Sequence, residues 1–322
     1  MQKAVTLLQS DLEQVEHEFV ANLSSDVPLI GKIGEYLLSS GGKRVRPMLL
    51  LLTARMAEYR GDAAAALAGV VEFIHTSTLL HDDVVDNADL RRGNASANTI
   101  YGNEASVLVG DFLFAQSFSM MVNHGDLAIL KILADATKRL AEGEVQQLIS
   151  TCDLDIEESH YMTVIRNKTA VLIAAACRIG GILGGIAEEK ERALHDFGMD
   201  LGIAFQFMDD ALDYVADQNE FGKQRGHDLY EGKVTLPLIH ALRQCSGAER
   251  NEVARIVELE ELSAEDLELV CGIIERHQGI EHTRQRALEM VASAKQRLAL
   301  FPDSEAKEAL FELADYVVTR RK

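Results

Sequence analysis

The chain has 322 residues, of which 47% are hydrophobic and 26% charged, and its formal net charge is −19 at pH 7. This composition is typical of a folded globular protein with a large core. The acidic balance disfavours nucleic acid and anionic lipid as partners. The four cysteines lack metal-ligand spacing, so they are interpreted as free, buried thiols. With no signal-peptide pattern and no apolar run that reaches the length of a membrane span, the sequence predicts a cytoplasmic protein without a stable membrane anchor.

Apolar residues recur at helical spacing along almost the whole chain, which predicts an all-α protein. In chain order, the predicted helices cover 7–23, 29–42, 47–61, 63–86, 104–122, 127–149, 158–185 and 189–217, with several amphipathic helices from 236 onward. Pro47 suits the first turn of its helix, and Gly41 and Gly42 suit the end of the helix before it. Strand-type alternation is missing and no linker divides the chain. Residues 1–322 are therefore predicted to form a single domain of long helices.

One acidic motif occurs twice, each time after an apolar helical turn. The two D-D-x-x-D copies consist of Asp82, Asp83 and Asp86, and of Asp209, Asp210 and Asp213. The first and last aspartates of each copy lie one turn apart on one helix face, where like charges repel unless a cation lies between them. Carboxylates with open coordination positions suit Mg²⁺, which also takes substrate phosphate oxygens. One copy in so acidic a chain is more simply a solvated helix face, but two copies favour a metal site.

Basic residues accompany both copies of the motif and form a third cluster upstream. They are Arg91 and Arg92 after the first copy, Lys223 and Lys233 after the second, and Lys43, Arg44 and Arg46 in SGGKRVRP. Arginines hold phosphate oxygens with forked hydrogen bonds, and glycines before closely spaced cations suit a phosphate-binding loop. In the upstream cluster, the negative end of the preceding helix dipole explains the presence of one lysine but not of three cations. The pattern predicts a diphosphate ligand.

Together these residues resemble the trans-isoprenyl diphosphate synthases, a family of chain-elongating prenyltransferases. The matching elements occur in the family's order from GGKRVRP at 41–47 to GKVTLPL at 232–238, and they include HTSTLLHDDVVD, RRG, KT, FQFMDDALD and GHDL. The resemblance implies a homodimer of long α-helices, in which the two acidic motifs face each other across the mouth of a deep central cavity. It implies isopentenyl diphosphate and an allylic diphosphate, with farnesyl diphosphate expected, as substrates.

The resemblance also assigns roles to residues by position. The implied Mg²⁺ ligands are Asp82, Asp86 and Asp209. The carboxylates implied to support them, directly or through water, are Asp83, Asp210 and Asp213. The cations implied to hold the allylic diphosphate are Arg91, Lys168 and Lys223. The residues implied to hold isopentenyl diphosphate are Lys43, Arg46, His75 and Arg92, and those beside the reacting carbons are Thr169 and Gln206.

The implied chemistry needs no nucleophilic side chain. Mg²⁺ and cations stabilise the negative charge on a departing diphosphate, and an allylic cation forms. The C4 carbon of isopentenyl diphosphate attacks that cation, and the released diphosphate takes up the proton. Holding both substrates in register supplies much of the remaining rate advantage.

Product length depends, in this family, on the residues one turn before the first acidic motif. Here they are Ser77 and Thr78, and two small side chains predict a tunnel floor that lies deeper. The candidate walls are Ile74, Phe118, Met120 and Met121, although each also suits ordinary core packing. We therefore expect a long all-trans product, C40 as first choice, for a quinone side chain.

The sequence departs from the family pattern at two positions and leaves alternatives open. His227 replaces a common aspartate and Val234 a common proline, both in the loop after the second motif. The alternatives are a shorter-chain (C15–C20) synthase, a class I terpene cyclase or head-to-head synthase, a non-catalytic subunit of a heteromeric synthase, and a helical scaffold. The intact motifs and cationic clusters disfavour the last three. The sequence leaves open a transient membrane contact during release of the apolar product.

Overall fold

The computed structural model of the protein describes residues 1–39, 41–91, 93–215, 226–259 and 262–320. The first half contains α1 (Gln2–Leu7), α2 (Gln9–Asn22), α3 (Pro28–Ser39), α4 (Val45–Met56), α5 (Ala63–Val85), β1 (Leu90–Arg91), β2 (Asn94–Ala95), α6 (Ala97–Tyr101), α7 (Asn103–His124) and α8 (Leu127–Ile149). The second half contains α9 (Glu158–Ile165), a π-helical turn (Arg166–Ala170), α10 (Val171–Leu183), α11 (Glu188–Asp213), α12 (His227–Tyr230), α13 (Leu236–Leu242), α14 (Gly247–Val257), α15 (Ala264–Arg276), α16 (Gly279–Arg297), a 3₁₀ turn (Leu298–Leu300) and α17 (Glu305–Thr319). The all-α prediction is confirmed.

The chain divides into two compact units. Unit 1 contains Met1–Thr137, Leu172–Gly198 and Arg297–Leu313, and unit 2 contains Lys138–Val171, Met199–Gln296 and Ala314–Lys322. Each unit draws on three separate stretches of chain, so neither corresponds to one continuous segment of sequence. The expectation of a single domain over residues 1–322 stays a prediction.

The core of unit 1 is organised around α5, which packs against α2, α4 and α7. This helix is apolar on most faces until its last turns, so it can be buried by several neighbours at once. Phe73 on α5 stacks on Phe19 of α2, with ring centroids 4.3 Å apart. Each fully buried side chain of this kind contributes roughly 1.5–3 kcal/mol through removal of apolar surface from water. The first acidic motif is thus carried by a helix whose position is fixed by packing.

Unit 2 places its helices with local polar signals as well as apolar faces. Ser246 and Glu249 form a capping box at the start of α14, and Ser263 and Asp266 form another at the start of α15. Such boxes satisfy two otherwise unpaired backbone N–H groups at a helix N-terminus. In this unit α13 packs against both α9 and α15. These contacts hold three helices of unit 2 together.

The predicted and observed elements differ in several places; the short helices Ala97–Tyr101 and His227–Tyr230, for example, were not predicted. The helix predicted over 7–23 is interrupted at Leu8, whose φ of −104° and ψ of 11° separate α1 from α2. The helix predicted over 158–185 contains the π-helical turn Arg166–Ala170. The strands of the hairpin, Leu90–Arg91 and Asn94–Ala95, have two residues each and pair antiparallel, which is too short to produce the alternation that reveals a strand. The cysteines are free thiols, as predicted, but two are only partly buried.

Two helices are long and apolar enough to cross a membrane by length and composition alone. They are α5 and α7, each with an 18-residue window of mean hydropathy 1.5. The expectation that no segment reaches this length was therefore wrong. For α5 the reason is that a core helix passes the same test, since 67% of its window is buried inside the protein. For α7 the buried share is 33%, which leaves much of an apolar helix on the surface.

Candidate active site

The first acidic motif occupies the last turn of α5. Asp86 is the C-terminal cap, and its N–H donates to the carbonyl oxygen of Asp82 at 2.8 Å. Carboxylates at this end of a helix repel each other and also oppose the negative end of the helix dipole. The cost of this arrangement falls when a cation binds nearby. The half-buried side chains of Asp82 and Asp86 therefore suit a cation site.

One partly exposed face of α5 continues from these aspartates towards the helix N-terminus. His75, Thr78, Leu79, Asp82 and Asp86 are all half-buried, whereas their neighbours Ile74, Ser77 and Leu80 are buried. Helical geometry places side chains three and four residues apart on the same face. The structure thus brings His75 onto the face that carries the two outer aspartates, as the spacing predicted.

Asp83 points away from that face and holds an arginine. Its side chain is 4% exposed, and its Oδ1 accepts hydrogen bonds from Arg91, one of them from Nε at 2.7 Å. Arg91 is placed there by the β1–β2 hairpin, in which it pairs with Asn94. Its own side chain keeps 33% exposure. The second aspartate of this motif therefore orients a cation of the predicted site.

The basic cluster after α3 divides into two kinds of residue. Arg44 has a left-handed backbone, with φ of 49°, and donates to Glu16 at 2.7 Å and to Glu72 at 3.0 Å. Glu72 is only 5% exposed, so Arg44 balances a buried charge and stabilises the fold. Lys43 is exposed and Arg46 half-buried at the start of α4. The two residues assigned to isopentenyl diphosphate lie on either side of the structural arginine.

The residues expected to shape the tunnel floor do not share one environment. Ser77 is buried, and its hydroxyl donates to the carbonyl oxygen of Gly110 on α7 at 2.8 Å. Thr78 is half-buried and donates to the carbonyl oxygen of His75. Among the deeper candidates, Ile74 and Met121 are buried, whereas Phe118 and Met120 are partly buried. Ser77 thus acts in helix packing, and Thr78 lies on the open face of α5.

The second acidic motif ends α11, in unit 2. Asp213 accepts backbone N–H groups from both His227 and Asp228 at 3.1 Å, one on each carboxylate oxygen. These amides begin α12, where unpaired N–H groups and the helix dipole favour an anion. Because backbone groups make this contact, it does not depend on the side chain at position 227. The His227 side chain pairs with Glu231 instead, at 3.3 Å.

A chain of hydrogen bonds links the second motif to the π-helical turn. Thr169 donates to Gln206 Oε1 at 2.8 Å, and Gln206 Nε2 donates to Asp210 Oδ1 at 2.7 Å. The hydroxyl of Tyr161 donates to the other oxygen of Asp210. Both ends of the Gln206 amide are therefore engaged, which fixes its orientation. Asp210, 1% exposed, is the buried anchor of this chain.

Close helix packing holds the π-helical turn in place. A Cβ at Gly143 of α8 would lie 2.7 Å from the backbone nitrogen of Lys168, and one at Gly202 of α11 would lie 2.5 Å from Ala170 Cα. Only glycine allows such an approach. π-Helical turns are frequent at functional sites because they redirect side chains. Here the turn carries Lys168 and Thr169.

Lys168 and its neighbours line one cavity in unit 2. The cavity has a volume of about 110 Å³, and its polar lining includes Tyr161, Lys168, Thr169, Gln206, Asp210, Asp228 and Lys233. Lys168 donates to Glu144 at 2.7 Å and remains 20% exposed. The structure thus collects four predicted residues around one space. Those four are Lys168, Thr169, Gln206 and Asp210.

Burial sets the protonation of the carboxylates around this cavity. It raises the pKa of Asp210 to about 7, with the charges of Asp209 and Asp213 acting in the same direction and the hydrogen bonds from Tyr161 and Gln206 opposing. Burial also raises the pKa of Asp228 well above its usual range. Both shifts disfavour the charged form of these carboxylates, and a cation bound nearby would stabilise that form.

The fit of the site to a divalent metal can be judged from its donors. The outer aspartates supply hard oxygen ligands at two helix ends, which is the chemistry that Mg²⁺ requires. In the part of the chain that the structure describes, no group of three or more His, Cys, Asp or Glu side chains forms a metal-binding cluster. Asp83 and Asp210 face protein partners, so each motif offers too few carboxylates for such a cluster. Metal binding at one motif alone is therefore incomplete without phosphate oxygens or water.

Some predicted residues cannot be placed, and some contributors were missed. Arg92 and Lys223 lie outside the described residues. Sequence reasoning missed Glu144, Tyr161 and Arg320, the last of which contacts Asp209. Glu144 and Arg320 carry no motif of their own, and Tyr161 reads as an ordinary apolar position of α9. Their partners lie 24, 49 and 111 residues away in sequence, so no local pattern could have found them.

Comparisons with known proteins identify the family of this chain. The family model "Polyprenyl synthetase" matches residues 27–274. Octaprenyl diphosphate synthase from Escherichia coli (strain K12) is 45% identical over 320 residues, covering 99% of both proteins. The structure of polyprenyl synthase from Caulobacter crescentus CB15, complexed with calcium and isoprenyl diphosphate, matches with a TM-score of 0.96 at 41% identity, covering 100% of this chain and 98% of that one. Decaprenyl diphosphate synthase from Rhodobacter capsulatus matches with a TM-score of 0.95 at 43% identity, covering 100% and 99%.

The chain therefore belongs to the polyprenyl synthetase family and has the all-α isoprenoid synthase fold. The resemblance read from the motifs is confirmed. The comparisons do not favour a shorter-chain synthase or a non-catalytic subunit.

Proposed function

We propose that the protein condenses isopentenyl diphosphate with an allylic diphosphate and repeats this step to a long all-trans polyprenyl diphosphate, C40 as first choice. The observation that carries the proposal is that the two acidic helix ends of a polyprenyl synthetase are intact here and are accompanied by carboxylate-held cations. The octaprenyl relative at 45% identity supports the same length. The decaprenyl structure at 43% identity supports a long product without favouring C40.

Each proposed metal ligand lies at an acidic helix end, where a bound cation would reduce the repulsion between carboxylates. Asp82 and Asp86 share the last turn of α5, and Asp209 lies in the last turn of α11. When Mg²⁺ is bound, it offsets the negative charge that develops on the departing diphosphate. Asp83, Asp210 and Asp213 support the ligands through their own partners.

Two of the three cations proposed to hold the allylic diphosphate are already oriented by carboxylates. Arg91 and Lys168 are each held by a carboxylate and stay partly exposed. A guanidinium has five N–H donors, so Arg91 keeps donors for phosphate oxygens beyond those that it gives to Asp83. Lys223 is the third proposed cation for the allylic diphosphate.

Isopentenyl diphosphate is proposed to lie against a separate set of residues: Lys43, Arg46, His75 and Arg92. Arg44 is left out because its guanidinium balances buried Glu72. Thr169 and Gln206 are proposed to lie beside the reacting carbons, where their mutual hydrogen bond keeps both groups in one orientation. Such fixed geometry lowers the entropic cost of bringing two substrates into register.

Product analysis tests this proposal. Purified protein is incubated with farnesyl diphosphate, labelled isopentenyl diphosphate and Mg²⁺, and the dephosphorylated alcohols are sized. The proposal expects a ladder that ends in one dominant long polyprenol, and expects chelation of Mg²⁺ to stop incorporation until the ion is restored. A product that ends at C15 or C20 would contradict the proposed length.

The surface of α7 supports a homodimer as the working form. Leu108 is 67% exposed, Val122 is 62% exposed and Val107 is 36% exposed on this helix. Exposed apolar side chains of this size on one long helix favour a protein interface. Light scattering on the native protein is expected to give twice the mass of one chain. Leu108→Glu is expected to shift that mass towards the monomer.

Two further proposals concern the use of the product and the location of the enzyme. We propose that the polyprenyl chain becomes a quinone side chain and that the enzyme works in the cytoplasm. Fractionation of cells tests the second point. A long polyprenyl tail is poorly soluble in water, so we also propose transient membrane contact during release, which vesicle-dependent turnover would reveal.

A further inference from the structure

The chain's C-terminal region reaches the second acidic motif through one arginine. Arg320 follows α17, and its side chain is 6% exposed. Its guanidinium carbon lies 3.9 Å from the ring centroid of Phe205, and Nη2 donates to the carbonyl oxygen of Phe205 at 2.9 Å. The same Nη2 donates to Asp209 Oδ1 at 2.7 Å.

The contacts with Phe205 fix the orientation of the Arg320 guanidinium without any contribution from Asp209. Stacking on an aromatic face and bonding to a backbone carbonyl orient the guanidinium plane independently of Asp209. Phe205 and Asp209 are four residues apart on α11, so a single guanidinium can span both. Asp209 itself remains 44% exposed. A second ligand can therefore approach the carboxylate while Arg320 stays in place.

We propose that Arg320 is a positioning residue for Asp209, which it aims at the divalent metal of the reaction. This inference rests on the proposed role of Asp209 as a metal ligand. The guanidinium restricts rotation of the carboxylate and offsets part of the negative charge of the second motif. Outer partners of this kind are worth about 10- to 100-fold in metal affinity.

Direct metal binding tests the inference without relying on turnover. The affinity of Mn²⁺ in the presence of inorganic diphosphate is measured by electron paramagnetic resonance for the wild type, Arg320→Gln and Arg320→Lys. We expect Arg320→Gln to weaken Mn²⁺ about 10- to 100-fold. Arg320→Lys should fall between, since lysine keeps the charge but not the planar fork. The Mg²⁺ concentration for half-maximal rate should rise in the same order.

Two controls separate the possible explanations. Lys295→Ala removes a surface ion pair with Asp315 of the same C-terminal helix and should leave Mn²⁺ affinity unchanged. Asp209→Asn should weaken Mn²⁺ in every background. If folded Arg320→Gln binds Mn²⁺ as tightly as the wild type or more tightly, while Asp209→Asn binds it weakly, the inference is wrong but the proposed metal role of Asp209 stands. If Asp209→Asn also bound normally, the proposed metal role and the inference would both fall.

Discussion

The two acidic helix ends share one sequence pattern but differ in their surroundings. In the first, the middle aspartate, Asp83, forms an ion pair with Arg91. In the second, the middle aspartate, Asp210, is surrounded by the neutral groups of Tyr161 and Gln206, and burial raises its pKa to about 7. The spacing D-D-x-x-D therefore determines which carboxylates share a face, whereas tertiary contacts determine their charge.

The largest expected effect comes from the outer aspartates, which the two motifs use alike. Asp82→Ala and Asp209→Ala should each lower kcat about 100- to 1,000-fold, because each removes a group that stabilises developing charge. Unfolding should not become easier, since like-charge repulsion is relieved. Steady-state kinetics and thermal unfolding measure both quantities. Asp89→Asn, at an exposed position just after the first motif, is the control, and a loss below tenfold in either alanine variant would contradict the account.

The middle aspartates should differ in their cost to stability. Asp83→Asn removes a buried ion-pair partner and should lower the free energy of unfolding by about 2–3 kcal/mol. Asp210→Asn keeps a polar amide among groups that can rearrange, so about 1 kcal/mol is expected. Urea denaturation at neutral pH measures both. Equal losses would show that the two surroundings do not differ energetically.

Acid should lower the free energy of unfolding through Glu231, which directly follows α12. Burial opposes its ionisation, but hydrogen bonding from His227 and the charge of Lys233 lower its pKa to about 2 from an ordinary 4.5. A lowered pKa stabilises the fold above the unfolded-state value, and that stability is lost as pH falls from 4.5 towards 2. Glu231→Gln should therefore cost about 2 kcal/mol at pH 7 and almost nothing near pH 2. A cost that does not change with pH would contradict this assignment.

The smallest effect is expected at His227, one of the two departures from the family pattern. The backbone N–H of this residue, not its side chain, holds Asp213. His227→Asp should therefore change activity by about twofold or less. Stability should fall by about 1 kcal/mol, because the substitution replaces a partner of Glu231 with a second carboxylate. Kinetic titration with Mg²⁺ compares it with the wild type, and a tenfold change in the Mg²⁺ requirement would show that the side chain matters.

The helices were predictable because their apolar periodicity is long and continuous. The π-helical turn was not, because Arg166–Ala170 reads as ordinary helix and the close approach of Gly143 and Gly202 comes from other helices. The hairpin that positions Arg91 was missed because two-residue strands leave no pattern.

The predicted site residues depended on motif and resemblance, whereas their partners depend on tertiary structure. Lys168 was identified through the resemblance of the sequence to the family. Glu144, which accepts a hydrogen bond from Lys168, belongs to no sequence motif. Arg44 shows a different error. The sequence pattern grouped it with the phosphate-binding cations, whereas in the structure it balances the charge of buried Glu72. The sequence therefore predicts which residues form the site, and contacts distant in sequence determine how each group is held.

The central claim is that both acidic helix ends serve one reaction. It is tested most directly by comparing Asp82→Ala, Asp209→Ala and the double variant in single-turnover release of diphosphate from farnesyl diphosphate with isopentenyl diphosphate present. Groups that act as a unit are strongly non-additive, so the account predicts a double variant about as slow as the slower single variant. Losses that multiply would contradict it, because they would show that the two motifs act independently.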